Sequence, residues 1–221
     1  LTTDDAFTLA SCALADLADF ISVTLDKNFE LIRYAEQVTS SSKDFSQIEL
    51  TVQSPIMQEF YIPLLKEKIC PKIQPGEKNL FCISVPFSGT FSAALATGKF
   101  IKNNFANDSF VCFGGGFINT ELRNVQEIRL SEYCDALSYD RGYGSYQELL
   151  ESRLIQTKDF EGTNCFPIYK MRFFTGQKVI PQLEEKPQIE CFENECTSTL
   201  LPDFSDIDFS RYPRMADSTN P

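Results

Sequence analysis

The stretch SFVCFGGGFINTELR, residues 109–123, sets three consecutive glycines between an apolar run and a segment of helical character. SFVCF is continuously apolar, as a strand buried on both faces would be. GGGF is a turn with almost no side chain. NTELRNVQEIRL, which runs on from it, reads as a helix that Asn119 or Thr120 caps, with Glu121 complementing the positive end of its dipole. Each glycine costs roughly 0.5–1 kcal/mol relative to alanine in a regular element. Three in a row therefore point to a backbone that something must approach closely.

The same order of elements recurs on either side. Upstream, NLFCISV (79–85) reads as a short buried strand and PFSGT as its turn, and Phe91, Ala94, Leu95, Gly98 and Ile101 mark one helix face. Downstream, CDALSYD (134–140), RGYGS and YQELLESRL repeat the sequence of strand, glycine-containing turn and helix. Three such units in series predict parallel strands joined by right-handed crossovers, that is, a doubly wound, mostly parallel α/β sheet.

Outside this region the signals are local. Leu9, Ala13, Leu17, Phe20 and Ile21 recur at helical period within 5–22, behind Thr2 or Thr3 and two aspartates that favour a helix start. IMQEFYIPLLKEKIC (56–70) is helical in pattern, with Pro63 set to break or kink it. CFPIYKMRFFTGQKVI (165–180) alternates around Thr175-Gly176 and predicts a hairpin. From 182 to 221 Glu, Asp, Pro and Ser dominate without either period, as in a linker.

The 221 residues carry 31 acidic against 20 basic side chains, a net charge of −11, which repels a polyanion and argues against a nucleic-acid partner. No run of about 18 apolar residues that could span a bilayer is read in the sequence, so a soluble protein without a membrane partner is expected. Of the eight cysteines, Cys82, Cys112 and Cys134 fall in apolar runs and read as reduced core residues, which suits a cytoplasmic location. Cys191 and Cys196 lack the spacing of a metal site. The chain opens on Leu1 with no export signal; this reads as a fragment, or as a domain whose first strand lies upstream.

In an open parallel sheet ligands bind beyond the carboxyl ends of the strands, so VPFSGTF, GGGFINT and YDRGYGS are expected to crowd one edge. Bland readings stand beside this. Ser88, Gly89 and Thr90 also suit a simple strand-to-helix turn, Asp140 and Arg141 a strand-end ion pair, and Phe87, Phe91, Phe117 and Tyr143 either a cover for a planar ligand or capping of the core. The chain has no histidine, which removes Ser-His-Asp and Cys-His catalysis and histidine-based metal sites. GGGFIN is close to GxGxxG but places Asn119 at the third glycine, and Asp135 and Asp140 stand at plausible spacing for a ribose carboxylate, so a dinucleotide site stays open.

Taken together, SVPFSGTFSAAL, FVCFGGGFINTELR and CDALSYDRGYGSYQELL resemble the N-terminal cobalamin-binding domain of radical S-adenosylmethionine enzymes. The resemblance covers residues 79–150 and implies a flavodoxin-like or Rossmann-like fold. It assigns Ser84 and the loop Pro86, Phe87, Ser88, Gly89, Thr90 and Phe91 to the corrin or its tail. It further assigns Gly114, Gly115, Gly116 and Phe117, with Asn119 beside them, to close passage of the cofactor, and Arg141, Gly142, Tyr143 and Gly144 to the outer rim. Cobalamin would bind without histidine ligation. The CxxxCxxC motif is absent, so the 4Fe-4S cluster and S-adenosylmethionine would belong to a downstream domain of the same protein. The implied organisation is a cobalamin-binding-like domain over 1–158, an appended hairpin over 159–181 and a linker over 182–221. The alternatives are a cofactor-less interaction or substrate-recognition domain of the same fold, and a dinucleotide-binding domain.

Overall fold

The protein, seen in a computed structural model, is described for residues 2–27, 29, 44–74, 76–158 and 167–208. It divides into two units, Leu1–Gln37 with Thr199–Pro221, and Val38–Ser198. In the first, α1 (Thr3–Thr24) starts on a capping box: the Thr2 hydroxyl accepts the Asp5 N–H and the Asp5 carboxylate accepts the Thr2 N–H. Phe7, Leu14, Leu17, Phe20 and Val23 lie exposed along it. Over Asp4–Thr24 this helix is long and apolar enough to cross a membrane by length and composition. This corrects the expectation that no segment could span a bilayer: Asp16 and Asp19 interrupt the apolar residues of the helix without outweighing its average.

The second unit is built on a five-stranded sheet. Its helices are α2 (Phe45–Val52), α3 (Ile62–Ile69), α4 (Phe91–Phe105), α5 (Gly116–Thr120), α6 (Tyr143–Glu151), α7 (Leu154–Thr157) and α8 (Pro187–Thr199). Its strands are β1 (Asn79–Ser84), β2 (Ser109–Gly114), β3 (Ala136–Ser138), β4 (Met171–Phe174) and β5 (Val179–Ile180). β1 and β2 pair in parallel, with Asn79 opposite Ser109 and Ser84 opposite Gly114. β2 and β3 are also parallel, whereas β4 and β5 continue the sheet antiparallel. Spatial order follows sequence order, β1-β2-β3-β4-β5. The protein is thus mixed α/β with an open sheet, and among the described strands the order does not reverse.

Alternation along β2 divides the core. Val111 and Phe113 face α4 and the layer of α2 and α3 beyond it, in a cluster with Leu95, Ile101 and Tyr133. Phe110 and Cys112 face the opposite way, with Leu149, Leu154 and Ile155 from α6 and α7 and with Met171 and Phe173 from β4. Such two-sided burial is what the unbroken apolar run of SFVCF predicts. Beneath the sheet, Asp135 is buried and accepts from the Val111 N–H at 2.8 Å and from Lys102 at 2.6 Å.

Several details differ from the sequence reading. The helix expected over 119–130 does not form: α5 ends at Thr120, and the chain turns until a 3-10 segment at Ile128–Glu132. The intervening carbonyls are taken by side chains, Leu122 by the Tyr139 hydroxyl and Val125 by Arg172, and Glu127 caps the 3-10 segment at the Arg129 N–H. Cys112 and Cys134 are buried, but Cys82 is exposed, because it sits on the edge strand of the sheet. Burial pushes the Cys112 thiol up to about 12, which leaves it unreactive at neutral pH. Cys165 lies outside the described residues. Within the stretch read as a linker, Pro187–Thr199 is helical. Pro63 does not end the helix: the helical backbone runs from a π turn over Met57–Tyr61 directly into α3, and the α-helical pattern is interrupted at that turn, just upstream of the proline.

Candidate functional site

The glycines that open the second turn meet backbone. The Val85 N–H donates to the Gly114 carbonyl at 2.7 Å, and the Phe117 N–H donates to the Val85 carbonyl at 3.1 Å. This continues the β1–β2 pairing past the end of both strands. Gly115 has φ +104° and ψ −179°, a conformation essentially reserved for glycine, and a Cβ there would lie 2.8–3.0 Å from the backbone of Val85. On Gly116 a Cβ would lie 3.0 Å from the Pro86 carbonyl oxygen. The close approach inferred from GGG is therefore made, in the first instance, by the neighbouring turn. Gly114 is freer, with only the Ser138 carbonyl at 3.5 Å.

The aromatics of these turns separate into two kinds. Phe91 is buried and packs against Phe117, ring centroids 5.2 Å apart and planes tilted by 48°, within the core. Phe87 is 63% exposed and Tyr143 is 41% exposed. Ser88, Gly89 and Thr90 form a single 3-10 turn, closed by the Thr90 hydroxyl on the Phe87 carbonyl at 2.8 Å. Ser84 ends β1 exposed at the same edge.

The third turn is joined to the second through a side chain: Asn119 Oδ1 accepts the Asp140 N–H at 2.7 Å. Asp140, at φ +59°, does not pair with Arg141. It binds Arg123 at 2.8 Å and Lys170, itself at φ +49°, at 3.0 Å. The Arg123 guanidinium holds the Asp140 carboxyl below the usual carboxylate range. Burial disfavours the Lys170 charge, but hydrogen bonds with Tyr169 and Asp140 outweigh it and leave that ammonium more basic than usual. Gly142, at φ +81°, precedes α6, and the buried Ser138 and Ser145 hydroxyls bond at 2.8 Å beneath it.

α8 lies against this turn. Glu193, only 4% exposed, accepts the Gly144 N–H at 3.1 Å and the Tyr169 hydroxyl at 3.3 Å. Arg141 donates to Asn194 and Thr197. A cavity of about 410 Å³ remains between α8 and the turn, lined by Asp140, Arg141, Tyr169, Lys170, Glu190, Glu193 and Asn194.

The three turns singled out in the sequence thus stand along one edge, at the carboxyl ends of β1, β2 and β3. Asp135 does not: it is at the amino end of β3, held by Lys102, so the spacing of Asp135 and Asp140 in sequence does not bring the two carboxylates together. Arg123, Lys170, Tyr169 and Glu193 join the edge without having been foreseen. Each comes from a segment whose local pattern signals something else, and Glu193 comes from the acidic stretch read as a linker. Among the described residues the cations and carboxylates of the third turn are largely paired with one another. Among the described residues no group of three His, Cys, Asp or Glu could hold a metal ion. No protein-family model matches the chain, and no curated protein matches it.

Proposed function

We infer that the three-turn edge is a cofactor-binding surface and that the cofactor is cobalamin, held without histidine ligation in a protein whose radical S-adenosylmethionine domain, with its 4Fe-4S cluster, lies downstream. The observation that carries this reading is the junction of the three turns at one edge, tied by Val85 to Gly114 and by Asp140 to Asn119, with two large aromatics exposed there. The residues fit the group in a specific sense. Gly114 leaves the edge open above Ser138, Phe87 offers an uncommitted aromatic face, and a chain without histidine contributes no imidazole to cobalt. Bound there, cobalamin would supply methyl-transfer chemistry, and the residues of this chain would position it and shield one side from water. A doubly wound sheet and a cytoplasmic location belong to the same proposal.

A second reading has its own support. Gly115, Gly116 and Gly144 each have a packing partner, in Val85, Pro86 and Ile189 respectively. Such packing is what a cofactor-less interaction or substrate-recognition domain of this fold would retain. Titration of the purified chain with hydroxocobalamin separates the two. Saturable binding with a shift of the visible spectrum supports the cofactor reading, and an unshifted spectrum with no protein-bound colour supports the second.

A further inference from the structure

α8 is held in an economical way. Of its thirteen residues Glu193 alone is buried, and that residue makes polar contacts. Its carboxylate stands at the Gly144 N–H in the first turn of α6, among the amides that lack a partner within their own helix and at the end where negative charge is favoured. Beside it the Ile189 methyl lies 2.1 Å from where a Cβ of residue 144 would be, so α8 rests on the bare backbone of that glycine. Further hold points are Arg141 on Asn194 and Thr197, and Lys186 on Glu148. Beneath the helix the cavity is walled by charged and hydroxyl groups and is not filled by apolar side chains. A segment that buries so little apolar surface opens at low free-energy cost. Every one of these contacts except that of Lys186 falls on, or next to, the rim residues Arg141–Gly144.

We propose that α8 is a removable cover over the third turn, and that a ligand at the three-turn edge and the docked helix exclude each other. This rests on the reading of that edge as a ligand site. In the covered state Glu193 occupies the Gly144 N–H and Ile189 occupies the space above it, so a ligand reaches the buried Gly144 backbone only in the fraction of molecules in which α8 has lifted. The apparent affinity of the chain is reduced by that same fraction.

The test uses the full chain with Glu193→Ala, and with Ile189→Ala as a second variant in case loss of the buried carboxylate compromises folding, which far-ultraviolet circular dichroism reports. Two quantities are read: amide hydrogen exchange over 187–199, and hydroxocobalamin affinity from a visible titration. Exchange in α8 is expected to accelerate about tenfold and the dissociation constant to fall by a similar factor, since both report the same opening equilibrium. Saturating hydroxocobalamin is expected to accelerate α8 exchange in the wild type as well. Faster exchange with an unchanged dissociation constant overturns the cover and leaves the cofactor reading standing. No uptake of cobalamin by wild type or variant removes the cofactor reading, and the cover with it. Unchanged exchange in both folded variants overturns the cover by showing that neither residue holds α8.

Discussion

The junction of the first two turns and the junction of the third turn with α8 occupy the same edge but are assembled from different materials. Between Val85 and Gly114–Phe117 the contacts are backbone to backbone, continuous with the β1–β2 ladder and permitted by the absence of Cβ atoms. Around Asp140–Gly144 they are side-chain contacts: Asn119, Arg123, Lys170 and Glu193 each reach in from elsewhere, and Arg141 reaches out to Asn194. The first junction has one arrangement available to it, because moving it means breaking the ladder. The second can exchange partners one at a time. Rigidity at one end of a site and adjustability at the other are thus set by whether backbone or side chains make the seam.

Gly115→Ala should break this contrast most forcefully. It combines a conformation of the glycine-only region, about 1–3 kcal/mol, with overpacking against Val85 of about 1–3 kcal/mol, so a loss of roughly 3 kcal/mol or more is expected. Urea unfolding at constant slope measures it, and a loss below 1 kcal/mol would mean that the seam yields easily. Gly144→Ala introduces a Cβ still closer to its neighbour, 2.1 Å from Ile189 Cγ2. Its global cost should nevertheless be only on the order of 1 kcal/mol, because α8 can lift away without disturbing the core. Faster hydrogen exchange confined to 187–199, reversed by adding Ile189→Ala, is the expected signature. Equal losses for the two glycine variants would erase the distinction between the seams.

Asp140→Asn tests the ionic part of the third turn. The carboxyl is held below its unfolded value of about 3.9, so its contribution is fully present above that pH and is lost as pH falls through the lower, folded value. The side chain is about a third exposed, so solvent screening limits the effect to roughly 0.5–1 kcal/mol at pH 7. The gap between wild type and variant should close on approaching pH 3, and a gap unchanged at that pH would assign the effect to something other than charge. Phe87→Ala is expected to change stability least, within about 0.5 kcal/mol, since the ring is mostly exposed. If the edge holds cobalamin, the same variant weakens hydroxocobalamin binding about tenfold, or ~1.4 kcal/mol; an unchanged affinity would place the corrin away from this residue.

What could be read in the sequence follows from how each element is stabilised. β2 and α4 announce themselves because apolar burial dictates their residues, whereas β1, read as a buried strand, is a partly exposed edge; Phe110, Val111, Cys112 and Phe113 can hardly be anything but an inner strand. α5 deceives because Asn119, a good helix cap, is used instead to tie two turns together, and Arg123 is drawn to Asp140 and Glu184. α8 has no apolar stripe to detect: its buried residue is a glutamate whose partners are 24 and 49 residues away in sequence. Three glycines in a row read in the sequence as close passage of a ligand over the backbone. They do not say what approaches, and Val85 and Pro86, supplied by the parallel register of β1, are the first answer.

The π turn at Met57–Tyr61 bears on how this chain can vary in length. A π turn holds one residue more than the α-helical turn it replaces, so it absorbs an insertion while leaving the flanking faces in phase. Tyr61, whose hydroxyl meets Thr97 at 3.0 Å, and Ile62, Leu65 and Ile69 beyond it all pack against the core. Deleting one residue elsewhere in the segment would rotate those side chains by about 100° relative to the preceding turn. A deletion within Met57–Tyr61 would leave an ordinary helix with the same residues still facing inward, which makes this turn the point in the segment where a single codon can be lost at least cost.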